Sequence, residues 1–178
     1  MKATGIVRKI DELGRVVIPK EIRNTMRIRT GDPLEIFTDH DGSVIFKKHS
    51  PIMELAEIAG KYAEATSKAC GILMAVIDSD KVVACAGIPK KDILKQNISS
   101  DMENIIDSRQ LYTWRNNDKK IPISDRPDKY FAKAVMPIST LGAVAIVETE
   151  AGNLSEVTDT EIKIIRAAAL FFEKHLDE

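Results

Sequence analysis

The hydrophobic pattern of this chain changes character near residue 50. Before that point, apolar residues fall in short β-branched runs broken by single basic side chains. Residues 4–10 and 15–18 read as two strands on either side of the turn Asp11-Glu-Leu-Gly14. On the first strand Ile6, Arg8 and Ile10 share one face while Val7 and Lys9 share the other. Apolar side chains on both faces call for cover on both faces. A segment of this size buries too little surface to supply that cover alone. The pattern therefore predicts an obligate dimer with interleaved strands.

Pro19 suits the start of a short helix, and Glu21 complements the positive end of that helix. On a helical wheel Lys20, Arg23, Asn24 and Arg27 fall within about 100° of arc, opposite Ile22 and Met26. Gly31-Asp32 closes this region. Residues 34–38 and 44–47 then flank Asp39-His-Asp-Gly42 as a hairpin. The first module reads strand, strand, helix, strand, strand.

Beyond residue 50 the apolar runs lengthen. Ser50-Pro51 is a helix-start signature, Ser as cap and Pro in the first turn. The predicted helix extends to about Ala69, with Leu55, Ile58, Ala59, Tyr62, Ala63 and Thr66 on one face and Gly71 just past its end. Residues 72–77 and 82–86 form a strand pair around Asp78-Ser-Asp-Lys81, and short helical stretches follow around 92–96 and 101–108. Residues 111–130 are polar, carry Pro122 and Pro127, and yield no element. Trp114, the single tryptophan, lies here and reads as a local packing anchor before a ligand-stacking residue. Strands at 131–136 and 143–147 precede a last helix at 157–176. Its apolar stripe is Ile162, Ile165, Ala169, Phe172 and Leu176, and Thr158 with Glu161 reads as a capping box. This order predicts an antiparallel sheet with helices packed on it, an α+β domain. The boundary divides the chain into a module at 1–50 and a domain at 51–178.

Composition narrows the class. Of the 178 residues 44% are apolar and 30% charged, as in soluble globular proteins. No apolar run is long enough to span a bilayer and no signal-peptide core follows Lys2, so the expected location is the cytoplasm, without membrane attachment. Cys70 and Cys85 form no CxxC pair and read as small buried hydrophobes. The tripeptides Asn97-Ile-Ser99 and Asn153-Leu-Ser155 match a glycosylation pattern that has no meaning without secretion. His40, His49 and His175 lack metal-ligand spacing, and neither a phosphate-cradling glycine loop nor a nucleophile elbow is present. No catalytic residue, metal or cofactor is expected, and the chain is not expected to be an enzyme.

Charge changes the picture more. The net charge of −1 conceals a basic head: residues 1–29 hold eight Lys+Arg against three Asp+Glu. Residues 51–178 hold sixteen against twenty. A basic head on an acidic body points to a polyanionic partner for the head alone. Arg8, Lys9, Arg15, Lys20 and Arg23 are the candidates, because arginine offers planar, permanently charged donors that grip phosphate or read guanine edges. Charge alone leaves a solvated surface as an equal alternative. With one short helix available, a helix-turn-helix is not expected.

The run Asp11-Glu-Leu-Gly-Arg-Val-Val-Ile-Pro19, inside a longer stretch from Lys2 to Arg23 and continued by Gly31-Asp-Pro-Leu-Glu-Ile-Phe37, resembles the DNA-binding domain of AbrB-type transition-state regulators. The likeness covers nearly all of residues 1–50. The strand pair at Met136-Pro-Ile138 and Leu141-Gly-Ala-Val144, with the element order around it, is similar to the end of a GAF sheet. The resemblance implies an all-β swapped-hairpin barrel, dimeric and with one short helix, followed by an α+β GAF-like domain. It also implies that Arg8, Lys9, Arg15 and Arg23 contact double-stranded DNA, beside Lys20 and Asn24. Asn24 stands where the family often has a second arginine. The implied function is sequence-specific regulation of sporulation genes at the bacterial nucleoid. The first domain would form a homodimer, and the second would build a homotetramer or receive a small-molecule effector. Two other functions fit parts of the chain: an antitoxin whose tail neutralises a toxin, and a small-molecule sensor acting through protein contacts.

Overall fold

A computed structural model describes residues 4–126, 129–139, 141–150, 152 and 155–176; Lys2, Pro127 and Asn153 lie outside them. The chain divides into two units, Met1–His49 and Ser50–Glu178.

In the head, Lys20–Thr25 forms helix α1, and Leu34–Thr38 (β1) pairs antiparallel with Val44–Lys48 (β2). Gly42, at φ 78°, lets the connecting turn close with bonds from Gly42 N to Asp39 O and from Asp39 N to Ser43 O. Lys48 reaches back from β2, donating to Arg27 O at 3.3 Å and pairing with Asp32 at 3.1 Å, which ties the end of the α1 region to the hairpin. The expected strands at 4–10 and 15–18 form no ladder with any strand of the same chain. Val7, Leu13 and Val17 are 86%, 74% and 72% exposed. Strand pairing in this segment needs a partner edge and an apolar cover, and among the described residues the segment makes neither contact. The helix also ends earlier than the wheel suggests: Met26 caps it and Arg27 turns left-handed at φ 51°, leaving the helical face shared by Lys20, Arg23 and Asn24.

The body is a five-stranded antiparallel sheet with helices on both faces. Its elements are α2 (Pro51–Glu54), α3 (Ala56–Cys70), β3 (Leu73–Asp78), β4 (Val82–Ala86), α4 (Lys90–Ile93) and α5 (Ser100–Ser108). After these come β5 (Tyr112–Thr113), β6 (Tyr130–Ile138), β7 (Gly142–Thr149) and α6 (Asp159–Leu176). Strand order is β4-β3-β7-β6-β5. Alternate side chains feed two apolar cores. One gathers Met74, Val76, Val144 and Ile146 with Ala63, Ile165 and Phe172 of α3 and α6. The other gathers Ala75, Ile77, Ala145 and Val147 with Ile93 of α4 and Met102 and Ile106 of α5. Burying Phe172 completely contributes about 2 kcal/mol. Tyr62 on α3 stacks on Phe171 of α6 at 4.8 Å and meets Phe172 edge-on at 5.5 Å, so the two helices lock as a pair.

The single helix expected from Pro51 is two. Leu55 N bonds to Ile52 O, three residues back, and α3 restarts at Ala56. The first turn is held elsewhere: Ile52 is fully buried in the core, and Ser50 Oγ donates to the buried Asp78 carboxylate while accepting from Met53 N at 3.2 Å. The Gly71 cap, at φ 68°, and the Thr158–Glu161 capping box form as expected. Most of the stretch 111–126, which yielded no element in sequence, is tied to the sheet and to residue 98 by bridging. Besides β5 on β6, Ser124 pairs with Ile98 and Pro122 with Phe131. Trp114 is buried and its indole N–H donates to Asp118 O at 3.1 Å, a local anchor. Among the described residues no helix is long and apolar enough to cross a membrane.

Candidate nucleic-acid interface

The head's chemistry centres on the turn between residues 11 and 15. Asp at the first position of a turn bonds backbone amides two and four residues on, and Gly14 at φ 77° accepts the left-handed conformation the closure requires. Asp11 Oδ1 accepts from Leu13 N at 3.0 Å and from Arg15 N at 2.8 Å. Asp11 N donates to Arg15 O at 3.1 Å and Gly14 N to Asp11 O at 3.0 Å. The second carboxylate oxygen, Oδ2, takes the Arg15 Nε–H at 2.8 Å. The Arg15 backbone N–H first, and its guanidinium second, hold the Asp11 carboxyl below the usual carboxylate range.

Four of the six predicted residues are basic side chains on open surface. Arg8, Lys9, Arg15 and Lys20 are exposed, as is Asn24. Arg8 and Arg15 lie on the two flanks of the turn, and Arg8 Nη1 donates to Val7 O at 3.2 Å. Lys20 opens α1, and Arg23 and Asn24 follow on it. Arg23 differs from the rest. It is half-buried, and its Nε is shielded from solvent with no hydrogen-bond partner among the described residues. A solvent-shielded, unmatched guanidinium N–H is costly in a finished structure. Asp11 was missed in the sequence as a member of the site. The sequence signal for it is an Asp opening a four-residue turn with Arg four places on.

In chemical terms this surface supplies fixed and mobile cations, guanidinium forks and one carboxamide, a donor-rich set that suits phosphate oxygens and base edges. Among the described residues no group of three or more His, Cys, Asp or Glu side chains is placed to hold a metal ion.

A basic head carrying a hairpin, followed by an α+β body, defines a two-unit protein built unlike a helix-turn-helix protein. The family described as "Stage V sporulation protein T C-terminal, transcription factor" matches residues 54–177. The family described as "Antidote-toxin recognition MazE, bacterial antitoxin" matches residues 7–52. Stage V sporulation protein T of Bacillus subtilis (strain 168) is 42% identical over 183 aligned positions, covering 100% of both chains. The transition state regulatory protein AbrB of the same organism is 49% identical over 71 residues, 40% of this chain and 72% of that one. The solution structure of the N-domain of the transcription factor AbrB shares 59% identity over 29% of this chain and 96% of that one, with a TM-score of 0.27. The chain belongs to the stage V sporulation protein T family of transcription factors.

Proposed function

We propose that the chain is a sequence-specific DNA-binding transcriptional regulator of sporulation genes. Its head grips duplex DNA through Arg8, Lys9, Arg15, Lys20, Arg23 and Asn24. The observation that carries this reading is the segment 4–18, where exposed Val7, Leu13 and Val17 alternate with the exposed cations Arg8, Lys9 and Arg15. Such a segment is incomplete in one chain and is completed by a second copy. Two heads then interleave as a swapped-hairpin barrel and present the cations as a doubled set. Full-length likeness to a sporulation regulator, and the likeness of the head to AbrB, support the same reading. The domain boundary follows at residues 50 and 51.

The body acts as a GAF-like domain that joins head dimers into a homotetramer and tunes them, in some states through a small-molecule effector. The protein works without enzymatic chemistry, in the cytoplasm at the nucleoid. The antitoxin reading draws on the family matched at residues 7–52. A folded unit of five strands and several helices argues against it, since a toxin-neutralising tail is short and extended.

Genome-wide footprinting of the full-length protein, with and without residues 51–178, tests the proposal. Discrete protected sites upstream of sporulation genes are expected. Uniform weak protection, unchanged in the Arg15→Ala variant, would overturn it.

A further inference from the structure

We propose that Asp11 is a positioning residue for Arg15. By holding the guanidinium at Nε against a carboxylate fixed to the turn, it aims both terminal nitrogens outward as a preset fork for DNA. This rests on the reading that Arg15 meets the duplex.

The Asp11 carboxylate is not free to follow its partner. One oxygen accepts two backbone amides, Leu13 N at 3.0 Å and Arg15 N at 2.8 Å. The backbone behind it is closed by the bonds from Asp11 N to Arg15 O and from Gly14 N to Asp11 O. The other oxygen is therefore a fixed point, and Arg15 Nε–H docks on it at 2.8 Å. An arginine side chain has five N–H donors. This contact uses one and leaves the four on the terminal nitrogens, which have no hydrogen-bond partner among the described residues, on a side chain 71% exposed. A fork restrained before binding loses less side-chain entropy on docking to a phosphate or a guanine edge.

An exposed ion pair of this kind contributes little to stability, so its consequence lies in geometry. That makes the sign of a mutation informative. A carboxylate that merely stood on a DNA-facing surface would repel phosphates, and removing it would strengthen binding. A carboxylate that aims Arg15 does the reverse. Glu12, in the same turn and exposed, is the control: it carries the same charge and makes no hydrogen bond or ion pair with Arg15.

Asp11→Asn separates the roles, because the amide oxygen still accepts from Leu13 N and Arg15 N while the amide nitrogen cannot accept from Nε. The test measures full-length protein on a duplex recovered by footprinting and on a scrambled duplex of the same composition. Asp11→Asn is expected to weaken operator binding about tenfold, within the range of one well-formed bidentate contact. Its affinity for scrambled DNA is not expected to fall, and Glu12→Gln is not expected to lose operator affinity. In an Arg15→Ala background, Asp11→Asn should cost nothing further. Operator affinity in Asp11→Asn equal to or above wild type overturns the proposal, as does an undiminished loss in the Arg15→Ala background, which would assign Asp11 to the turn alone. If Arg15→Ala itself binds the operator at full strength, the DNA contact of Arg15 falls, and the positioning role falls with it.

Discussion

Lys133 Nζ lies 2.7 Å from Glu161 Oε1 inside the body, the two side chains only 5% and 13% exposed. Lys133 is the extra residue of a bulge, since Ala132 pairs with Val147 while Ala134 pairs with Ile146. Its ammonium also donates to Ser155 Oγ at 3.1 Å and stands 3.7 Å from Glu148. The other Glu161 oxygen accepts from Thr158 N and Oγ1. One carboxylate thus joins the sheet to the capping box of α6. Removing one member of a buried pair leaves the other uncompensated, so Lys133→Ala should destabilise the body by about 3 kcal/mol. Urea unfolding followed by Trp114 fluorescence reads this unit alone, because Trp114 is the one tryptophan. A Lys133→Met, Glu161→Leu double variant should recover much of the loss.

The same pair sets an acid sensitivity. Burial alone pushes the Glu161 carboxyl up, but the bonds from Lys133 and Thr158 together hold it below its ordinary value of 4.5. A depressed folded value means stability that is full above the unfolded value and lost as pH falls through the folded one. The urea midpoint should therefore decline as pH drops below about 4.5, and this part of the decline should vanish in Glu161→Gln. An identical pH profile in that variant would remove Glu161 from the explanation.

Gly142 opens β7 beside the end of β3. A Cβ added there would stand 2.0 Å from Ile77 O and 2.6 Å from Ile52 Cδ1. The nearest obstacle is backbone in a central strand pair, which has little room to give. Gly142→Ala should lower stability by more than about 3 kcal/mol, by overpacking. A change below about 1 kcal/mol in the Trp114 transition would show that the strand end relaxes freely.

Salt dependence tests the head. With four basic residues per chain neutralising phosphates in a dimer, log K should fall against log salt with a slope near about −7. Arg15→Ala removes two of those contacts and should bring the slope to about −5. A salt-independent affinity is incompatible with this surface.

Residues 1–50 made alone should sediment as a dimer. The exposure of Val7, Leu13 and Val17 in one chain is the reason. A stable monomer would show that these side chains find cover within the chain.

Most of the body was legible because its periodicities are local. The strands at 73–78, 82–86 and 142–149 are built on the continuous apolar runs 72–77, 82–86 and 143–147, and α6 carries both its stripe and its capping box in sequence. The breaks in legibility all involve distant partners. The split at Leu55 follows from Ile52 in the core and Ser50 on Asp78, 28 residues away. Lys133 looked like one polar residue in an apolar strand, and nothing near it announces a bulge or an acid on α6. In the head, residue types and charge single out Arg8, Arg15 and the α1 face as candidates, yet not the carboxylate on which Arg15 Nε docks. The segment 4–18, expected as two strands, forms none in the single chain. Its ladder cannot be drawn from one copy.

The uncovered side chains of that segment also bear on how the regulator responds to its own synthesis. If two heads pair as proposed, the amount of competent protein rises with the square of chain concentration at low abundance. A modest increase in expression is then sharpened into a steeper rise in occupied sites. Under that pairing, the apolar residues exposed in one chain would act, in a population of chains, to steepen the response to abundance.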